Sequence, residues 1–453
     1  MGAKAKNMNL TEGTIWKQIV LFAFPLMCSN LFQQLYNTAD SMVVGRFVGS
    51  TALAAVGSTG SVTGLLVAFS IGMGTGSGVV ISQYYGAKDH ENLHKAVHTA
   101  MALAIALGIG LGILGVILSP TLLRWMGTPE DVMDQAVLYL RINFSGLVSM
   151  IVYNLGAGIL RAVGDSKRPL YYLVIAGVTN VILNVIFVVF FHMGVAGVSV
   201  ATICSQVLSS FLVLRNLTKA AGPYRLNFKD VRFHKEIFFK IAKIGFPASI
   251  QSMVISLSNI VIQSKVNAFG SAAMAGHSAA SRVDAMVYMP MGAIALATTT
   301  FAAQNLGARK LARVRKGART AVMLAIGVTI VLGGLASLAA EPIIKMFADE
   351  KDVIDYGMMS LQIRCSTYFL FAMTDVLGGV IRGSGNAVVP MCISLTNMCV
   401  VRIIWLMIAT NIWNDFSIVV ITYPMTWALA SLCYLLYYWK GGWMKKWEQE
   451  HSS

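Results

Sequence analysis

Residues 83–88 read QYYGAK (Gln83 to Lys88), and 221 positions later residues 304–309 read QNLGAR (Gln304 to Arg309). The same shift, 221 or 222 residues, carries Phe24-Pro25 onto Phe246-Pro247, Gly49-Ser50 onto Gly270-Ser271 and Asp131-Val132 onto Asp352-Val353. It also carries Arg161 and Gly164 onto Arg382 and Gly385, and Pro169 onto Pro390. Chance would not hold one offset over such a length, so the chain reads as two copies of one unit. Around these landmarks lie apolar runs of the length that crosses a hydrocarbon core of about 30 Å as helix. Punctuated by Gly, Pro and charge, they fall near 15–44, 51–82, 95–118, 132–160, 169–191, 195–217, 237–265, 272–303, 317–340, 353–381, 388–410 and 416–439. The expected fold is an all-α polytopic membrane protein with twelve transmembrane helices in two pseudo-symmetric six-helix bundles. Six is even, so both copies enter the membrane from the same side and their pseudo-two-fold axis lies along the membrane normal.

Composition agrees. Of 453 residues, 56% are hydrophobic and 12% charged, against about 25% charged in a soluble domain; this argues against a soluble globular protein. The net charge of +15 is explained by membrane topology better than by nucleic acid. If the N-terminus is cytoplasmic, 26 Lys and Arg fall on the cytoplasmic side and five (Arg46, Arg124, Lys265, Lys345, Lys351) opposite, as the positive-inside rule requires. Both termini are then cytoplasmic. The expected organisation is a tail (1–14), a six-helix lobe (15–217), a linker (218–236), a second lobe (237–439) and a second tail (440–453). The six cysteines lie in apolar runs with no Cys-x-x-Cys, which speaks against a disulfide framework or zinc site. Met1 to Lys17 is polar and the run behind it long, so no cleavable signal peptide is expected. No Gly-x4-Gly-Lys-Ser/Thr occurs, hence no ATP-hydrolysing module, and no nucleophile–base arrangement points to an enzyme. The run Gly72-Met-Gly-Thr-Gly-Ser-Gly78 lies inside a span with no preceding strand and reads as close helix packing. Pro25, Pro247 and Pro290 fall within spans and are candidate hinges.

Away from the span ends, the acids are Asp40, Asp284 and Asp375. A carboxylate at membrane depth is expensive, so each is a functional candidate. Asp40 ends a stripe Asn30, Gln33, Asn37, Asp40 that lies on one helix face and must look at protein or water. Asn180 and Asn184 are one turn apart on span five, and Thr202 on span six offers another neutral oxygen. With Asp40 they are candidate ligands of a coupling cation, the oxygen type that hard cations prefer; packing glue is the plainer use of such asparagines. On span eight His277, Ser281, Asp284, Tyr288 and Met291 share a face, and on span ten Arg364, Tyr368, Phe371 and Asp375 do. Asp284, Asp375, Tyr288, Tyr368, Phe371 and Met291, with Asn154 on span four, are the candidate substrate-binding residues, through charge pairing and cation–π contact with an organic cation. The competing reading has Asp284 or Asp375 neutralising a buried arginine, Arg282, Arg364 or Arg402. His277 is expected at the outer interface.

Six segments, LYNTADSMVVGR (Leu35 to Arg46), QYYGAKD (Gln83 to Asp89), ILRAVGD (Ile159 to Asp165), VTNVILN (Val178 to Asn184), MGVAGVSVATICSQ (Met193 to Gln206) and QNLGARK (Gln304 to Lys310), resemble the multidrug and toxic compound extrusion (MATE) family, in order, over residues 12 to 440. The resemblance implies a V-shaped pair of lobes with a cavity between them. It also implies export of organic cations and drugs in exchange for protons or sodium. The family's first-span acid falls on Asp40 and its fifth-span asparagine on Asn180, with Thr202 in the matching sixth-span segment. Where many members carry an acid one turn further on, this chain has Asn184, leaving Asp40 as the only formal charge of that site. Asp284 resembles the acid after the arginine of span eight, and Asp375 a span-ten acid. The span-seven acid of some branches has no equivalent near Pro247, where Gln251 and Ser252 are the polar residues.

The expectation is therefore a secondary-active antiporter of the bacterial cytoplasmic membrane, working by alternating access. It needs no cofactor; the coupling ion is a proton in preference to sodium at Asp40, Asn180, Asn184 and Thr202, with Asn37 and Gln33 beside them. Its partners are small cationic or amphipathic molecules and membrane lipids, with no nucleic acid and no obligate protein partner, so a monomer. The alternatives are a lipid-linked saccharide flippase, which should line its cavity with fixed cations, and a channel.

Overall fold

The computed structural model describes residues 8–413 and 415–450, and among these there is no strand. The first repeat contains α1 (Ile15–Val43), α2 (Ser50–Ala87), α3 (His90–Trp125), α4 (Glu130–Ser145), α5 (Leu147–Ala162), α6 (Lys167–Val185) and α7 (Gly194–Thr218). A segment with a short 3-10 turn at Phe228–Asp230 leads to the second repeat. That repeat contains α8 (Lys235–Asn267), α9 (Ser271–Gly307), α10 (Leu311–Leu338), α11 (Ala340–Lys345), α12 (Lys351–Gly383), α13 (Val388–Leu395), α14 (Arg402–Ile412) and α15 (Phe416–Lys440). Among the described residues ten helices are long and apolar enough to cross a membrane, and the pair α4–α5, bent by 47°, makes an eleventh span. The twelfth is α12, 33 residues long, which takes in the second repeat the place that α4–α5 takes in the first. Outward faces carry Ile117, Phe190, Leu338 and Met407, all more than half exposed, as lipid-facing helices require.

The repeat is visible in the backbone. Lys88 and Arg309, 221 apart, both adopt left-handed φ (58° and 56°). Each ends a helix in the same way: Asp89 N–H donates to Tyr84 C=O and Lys310 N–H to Asn305 C=O, at 3.1 and 2.8 Å, closing carbonyls that the helix end would leave open. Gly164 and Gly385, again 221 apart, share φ of 90° and 91°, a conformation open to glycine and strained for other residues.

Among the described residues three spans depart from plain α-helix. Val44–Val48 extends α1, Ile186–Phe190 extends α6, and Thr396–Val401 joins α13 to α14, each as a π-helical turn.

The chain forms two compact units. One holds Met8 and residues 28–249, the other residues 9–27 and 250–450. The boundary runs through α1 and α8, two residues past Pro25 and Pro247, so each of these continuous helices contributes to both. Within the first unit the glycine run of α2 packs closely, as expected. A Cβ on Gly72 would stand 2.4 Å from Ser249 Cα and one on Gly76 2.4 Å from Gly245 N, while one on Gly74 would stand 3.3 Å from Asn154 O. One face of α2 thus meets α8 at backbone distance and another meets α5. The segment after α7 folds onto this unit: Leu226 is buried, and Asn227 N–H donates to His98 Nε2 at 3.0 Å. In the second unit α16 (Trp443–Glu450) buries Trp443 and Met444 against Leu306, Val314 and Ala318.

Candidate functional site

In the first unit α1, α6 and α7 bring together the polar residues singled out from the sequence. Asn184 Nδ2 donates to Asp40 Oδ1 and stands 3.2 Å from Asn180 Oδ1; Asn180 Nδ2 lies 3.5 Å from Thr202 Oγ1. Both asparagines are fully buried, and Asp40 and Thr202 partly so. The arrangement follows from helix geometry: Asn180 and Asn184 are successive turns of α6, so both amides face α1 and α7 together. The π-helical turns begin four residues after Asp40 and two after Asn184, and such turns concentrate at functional sites. Gln33 and Asn37, on the same stripe, hydrogen-bond to none of these groups among the described residues. Asn37 is exposed and Gln33 half-buried.

Two features mark this group. Asp40 has no cationic partner among the described residues, whereas Asp284 and Asp375 each have one. Asn184 Oδ1 is a buried acceptor with no hydrogen-bond partner. Its amide has turned nitrogen toward the carboxylate and left its oxygen unsatisfied. The donor set of one carboxylate, two amides and a hydroxyl is all hard oxygen, which fits a proton or a small cation.

In the second unit the acids are paired. Asp284 forms an ion pair with Arg364, both nearly buried, and Cys365 Sγ lies 3.7 Å from Asp284 Oδ1. Arg364 Nε donates to Ser360 C=O at 3.2 Å. Asp375 Oδ1 lies 3.9 Å from Arg382 Nη2, and Tyr288 OH reaches Asp375 Oδ2 at 3.5 Å. Arg382 also donates to Gln251 Oε1 at 3.2 Å, and Gln251 to Ser394 Oγ at 2.7 Å. Between the two ion pairs runs a column of rings. Tyr288 stacks on Phe371 (5.7 Å between centroids), Phe371 and Tyr368 each lie 5.2 Å from Trp427, and Tyr423 stands 5.6 Å beyond. Arg364 and Arg402 lie 5.2 and 5.1 Å from the Tyr423 centroid.

Tyr288 is partly exposed, Tyr368 is buried, and Met291 is fully buried, so Met291 has no open surface here. Asn154 belongs to the first unit, with its amide on Met150 C=O at 3.0 Å. Arg282 is exposed. His277, near the start of α9, is buried, with Nδ1 3.4 Å from Ser360 Oγ. Sequence reading missed Tyr423 and Trp427. Their i, i+4 spacing on α15 was the available signal, but apolar spans are full of such pairs.

An all-helical, multi-pass chain built from two repeated six-span halves, with buried charge in both, is a membrane protein of the carrier type. The sequence profile of the MatE family matches it twice, over residues 25–186 and 247–408, and the chain belongs to that family. It is 31% identical over 447 residues, 96% of each chain, to the probable multidrug resistance protein YoeA of Bacillus subtilis. It is 30% identical over 439 residues, 97% of this chain and 98% of the other, to the probable multidrug resistance protein YpnP of the same organism. A crystal structure of MATE in the bent conformation superposes with a TM-score of 0.90 at 22% identity, covering 99% of this chain and all of that one, which shows the fold.

Proposed function

We propose that the chain is a secondary-active antiporter that exports organic cations, drugs and toxic compounds across the bacterial cytoplasmic membrane, both termini inside, in exchange for a proton in preference to sodium. The observation that carries the ion-coupling part is Asp40: an acid at membrane depth with no cationic partner among the described residues, hydrogen-bonded to a buried amide whose other end is unsatisfied. The names of the Bacillus relatives support drugs as cargo.

The chemistry follows from the amide. While Asp40 is ionised, Asn184 offers it an N–H. Once Asp40 takes up a proton, or a sodium ion stands beside it, the N–H faces a weaker acceptor. The amide then gains by turning its oxygen toward the new O–H or cation. That exchange gives the α1–α6 contact two arrangements, one for each state of Asp40. Alternating access requires such a bistable element. It also requires that ion and substrate favour different states, since equal affinity for both shifts nothing. Asp284 and Asp375 keep their arginines, so a cationic substrate in the second unit meets mainly the ring column Tyr288, Phe371, Trp427 and Tyr423, by stacking and cation–π contact.

The test is efflux of a fluorescent organic cation from proteoliposomes, driven separately by a pH gradient and a sodium gradient. Proton-driven efflux that disappears in Asp40→Asn while the variant remains folded supports the reading. Undiminished efflux in that variant removes Asp40 from the mechanism.

A further inference from the structure

The interior of the second unit holds a charge that its own residues do not balance. Arg364 and Arg402 are 3% and 2% exposed, and their guanidinium carbons lie 5.2 and 5.1 Å from the centroid of the same ring, Tyr423, so they stand within the sum of those distances of each other. Asp284 neutralises Arg364. Among the described residues Arg402 meets only neutral oxygens: Ser258 Oγ at 3.4 Å, Asn259 Oδ1 at 3.3 Å and Thr426 Oγ1 at 3.1 Å. Two buried N–H groups, Arg364 Nη2 and Arg402 Nε, meet no acceptor. Each is a charged donor removed from water, a costly state in a protein interior.

A buried lysine or carboxylate can escape such a position by losing or gaining a proton, but a guanidinium keeps its charge. The neighbours offer no relief. His277, the nearest further titratable group, is neutral or positive, and the tyrosines and Cys365 ionise ordinarily only at alkaline pH. The missing negative charge must come from outside the chain.

We propose that Arg364 and Arg402, both beside Tyr423, form a site for a small monovalent inorganic anion of the chloride class. The anion accepts from Arg402 Nε and Arg364 Nη2, the two donors without partners. The Ser258 and Thr426 hydroxyls give their protons to Met398 C=O and Thr422 C=O, so the contact rests on the two guanidinium donors. The burial of both arginines favours a single atom or small ion over an organic acid or lipid headgroup. The site is separate from Asp40, and its existence does not depend on the transport reading.

The experiment uses the full chain in a neutral, phosphate-free detergent at constant ionic strength, with chloride replaced stepwise by gluconate. The expected result is a thermal unfolding midpoint that rises saturably with chloride, at the same half-maximal concentration for sodium, potassium or choline salts. Arg402→Gln should unfold at a midpoint independent of chloride, because the charge that needs the anion is gone. A wild-type midpoint identical in chloride and gluconate overturns the proposal, as does chloride dependence unchanged in Arg402→Gln. Should Arg402→Gln fail to fold, chloride-35 line broadening on the wild type decides: broadening reversed by excess bromide supports the site, and none overturns it. A stabilisation produced by phosphatidylglycerol and not by chloride also overturns it, in favour of a headgroup.

Discussion

The ion pair between Asp284 and Arg364 separates a structural acid from a substrate-binding one. Both side chains are almost out of solvent, at 10% and 4% exposure, and Asp284 is the only carboxylate paired with Arg364 among the described residues. Asp284→Asn leaves the guanidinium with Ser360 C=O and Ser281 Oγ, in an interior that already contains Arg402. Removing one partner of a buried pair costs about 3–5 kcal/mol, and the upper part of that range is expected because arginine cannot discharge itself. Arg364→Gln should cost less, since a stranded carboxyl group can take up a proton. The double variant should then lie close to Arg364→Gln alone, a coupling nearly equal to the cost of Asp284→Asn itself, about 3–5 kcal/mol. The assay is reversible unfolding in mixed micelles of mild detergent and dodecyl sulfate, run as a double-mutant cycle, with substrate affinity of the folded protein measured in parallel. Additive single costs, or an Asp284→Asn that loses less than about 1 kcal/mol while its substrate affinity collapses, would refute the argument and return Asp284 to the substrate site.

Three further outcomes follow from the geometry. Gly76→Ala places a methyl 2.4 Å from Gly245 N and 2.9 Å from Ile241 C=O, backbone atoms that cannot rotate away. It should cost about 1–3 kcal/mol in the same unfolding assay, while Gly64→Ala, which meets nothing within 4 Å, should cost nothing or stabilise slightly, alanine being the better helix former. Trp443→Ala should undock α16, whose Trp443 is buried among Val314, Ala318 and Met444; trypsin should then remove the C-terminal residues several-fold faster without loss of the remaining fold. His234 lies outside the spans, with Nε2 accepting from Arg232 Nε at 3.2 Å and Nδ1 3.1 Å from Thr99 Oγ1. Partial burial, and then the Arg232 charge, lower its pKa. The neutral ring is thus the form the fold prefers. Its contribution is present above the ordinary histidine value of about 6.5 and is lost as pH falls through the lowered one. Cleavage of the segment between α7 and α8, normalised to an unfolded reference peptide, should increase on acidification in the wild type and increase less in His234→Gln, the remainder belonging to His98, whose Nε2 accepts from Asn227 N–H.

The two-fold repeat was legible because it is written in backbone needs: Lys88 and Arg309, like Gly164 and Gly385, occupy turns that fold in only one way. The grouping of Asp40, Asn180, Asn184 and Thr202 was legible because polar side chains at membrane depth must find one another. Which acid meets which arginine was not, because that depends on how α9 and α12 are rotated, and spacing along one helix leaves Arg282, Arg364 and Arg402 equally available to Asp284. Met291 shares a sequence face with Asp284 and Tyr288, yet is fully buried where Tyr288 is partly exposed, since position on one helix face does not fix what packs against it. The division of α1 and α8 just past their prolines left no mark in hydropathy, since each helix is apolar on both sides of the break. Trp427 and Tyr423 were hidden by the ordinariness of aromatic pairs in a span.

The measurement closest to the central claim is proton release on substrate binding, in weakly buffered detergent solution over a series of pH values. If Asp40 is the coupling group, the wild type releases up to one proton per bound organic cation at the pH where release is greatest, and Asp40→Asn binds the cation while releasing none. Release undiminished in Asp40→Asn, or binding without release at every pH in the wild type, would contradict it.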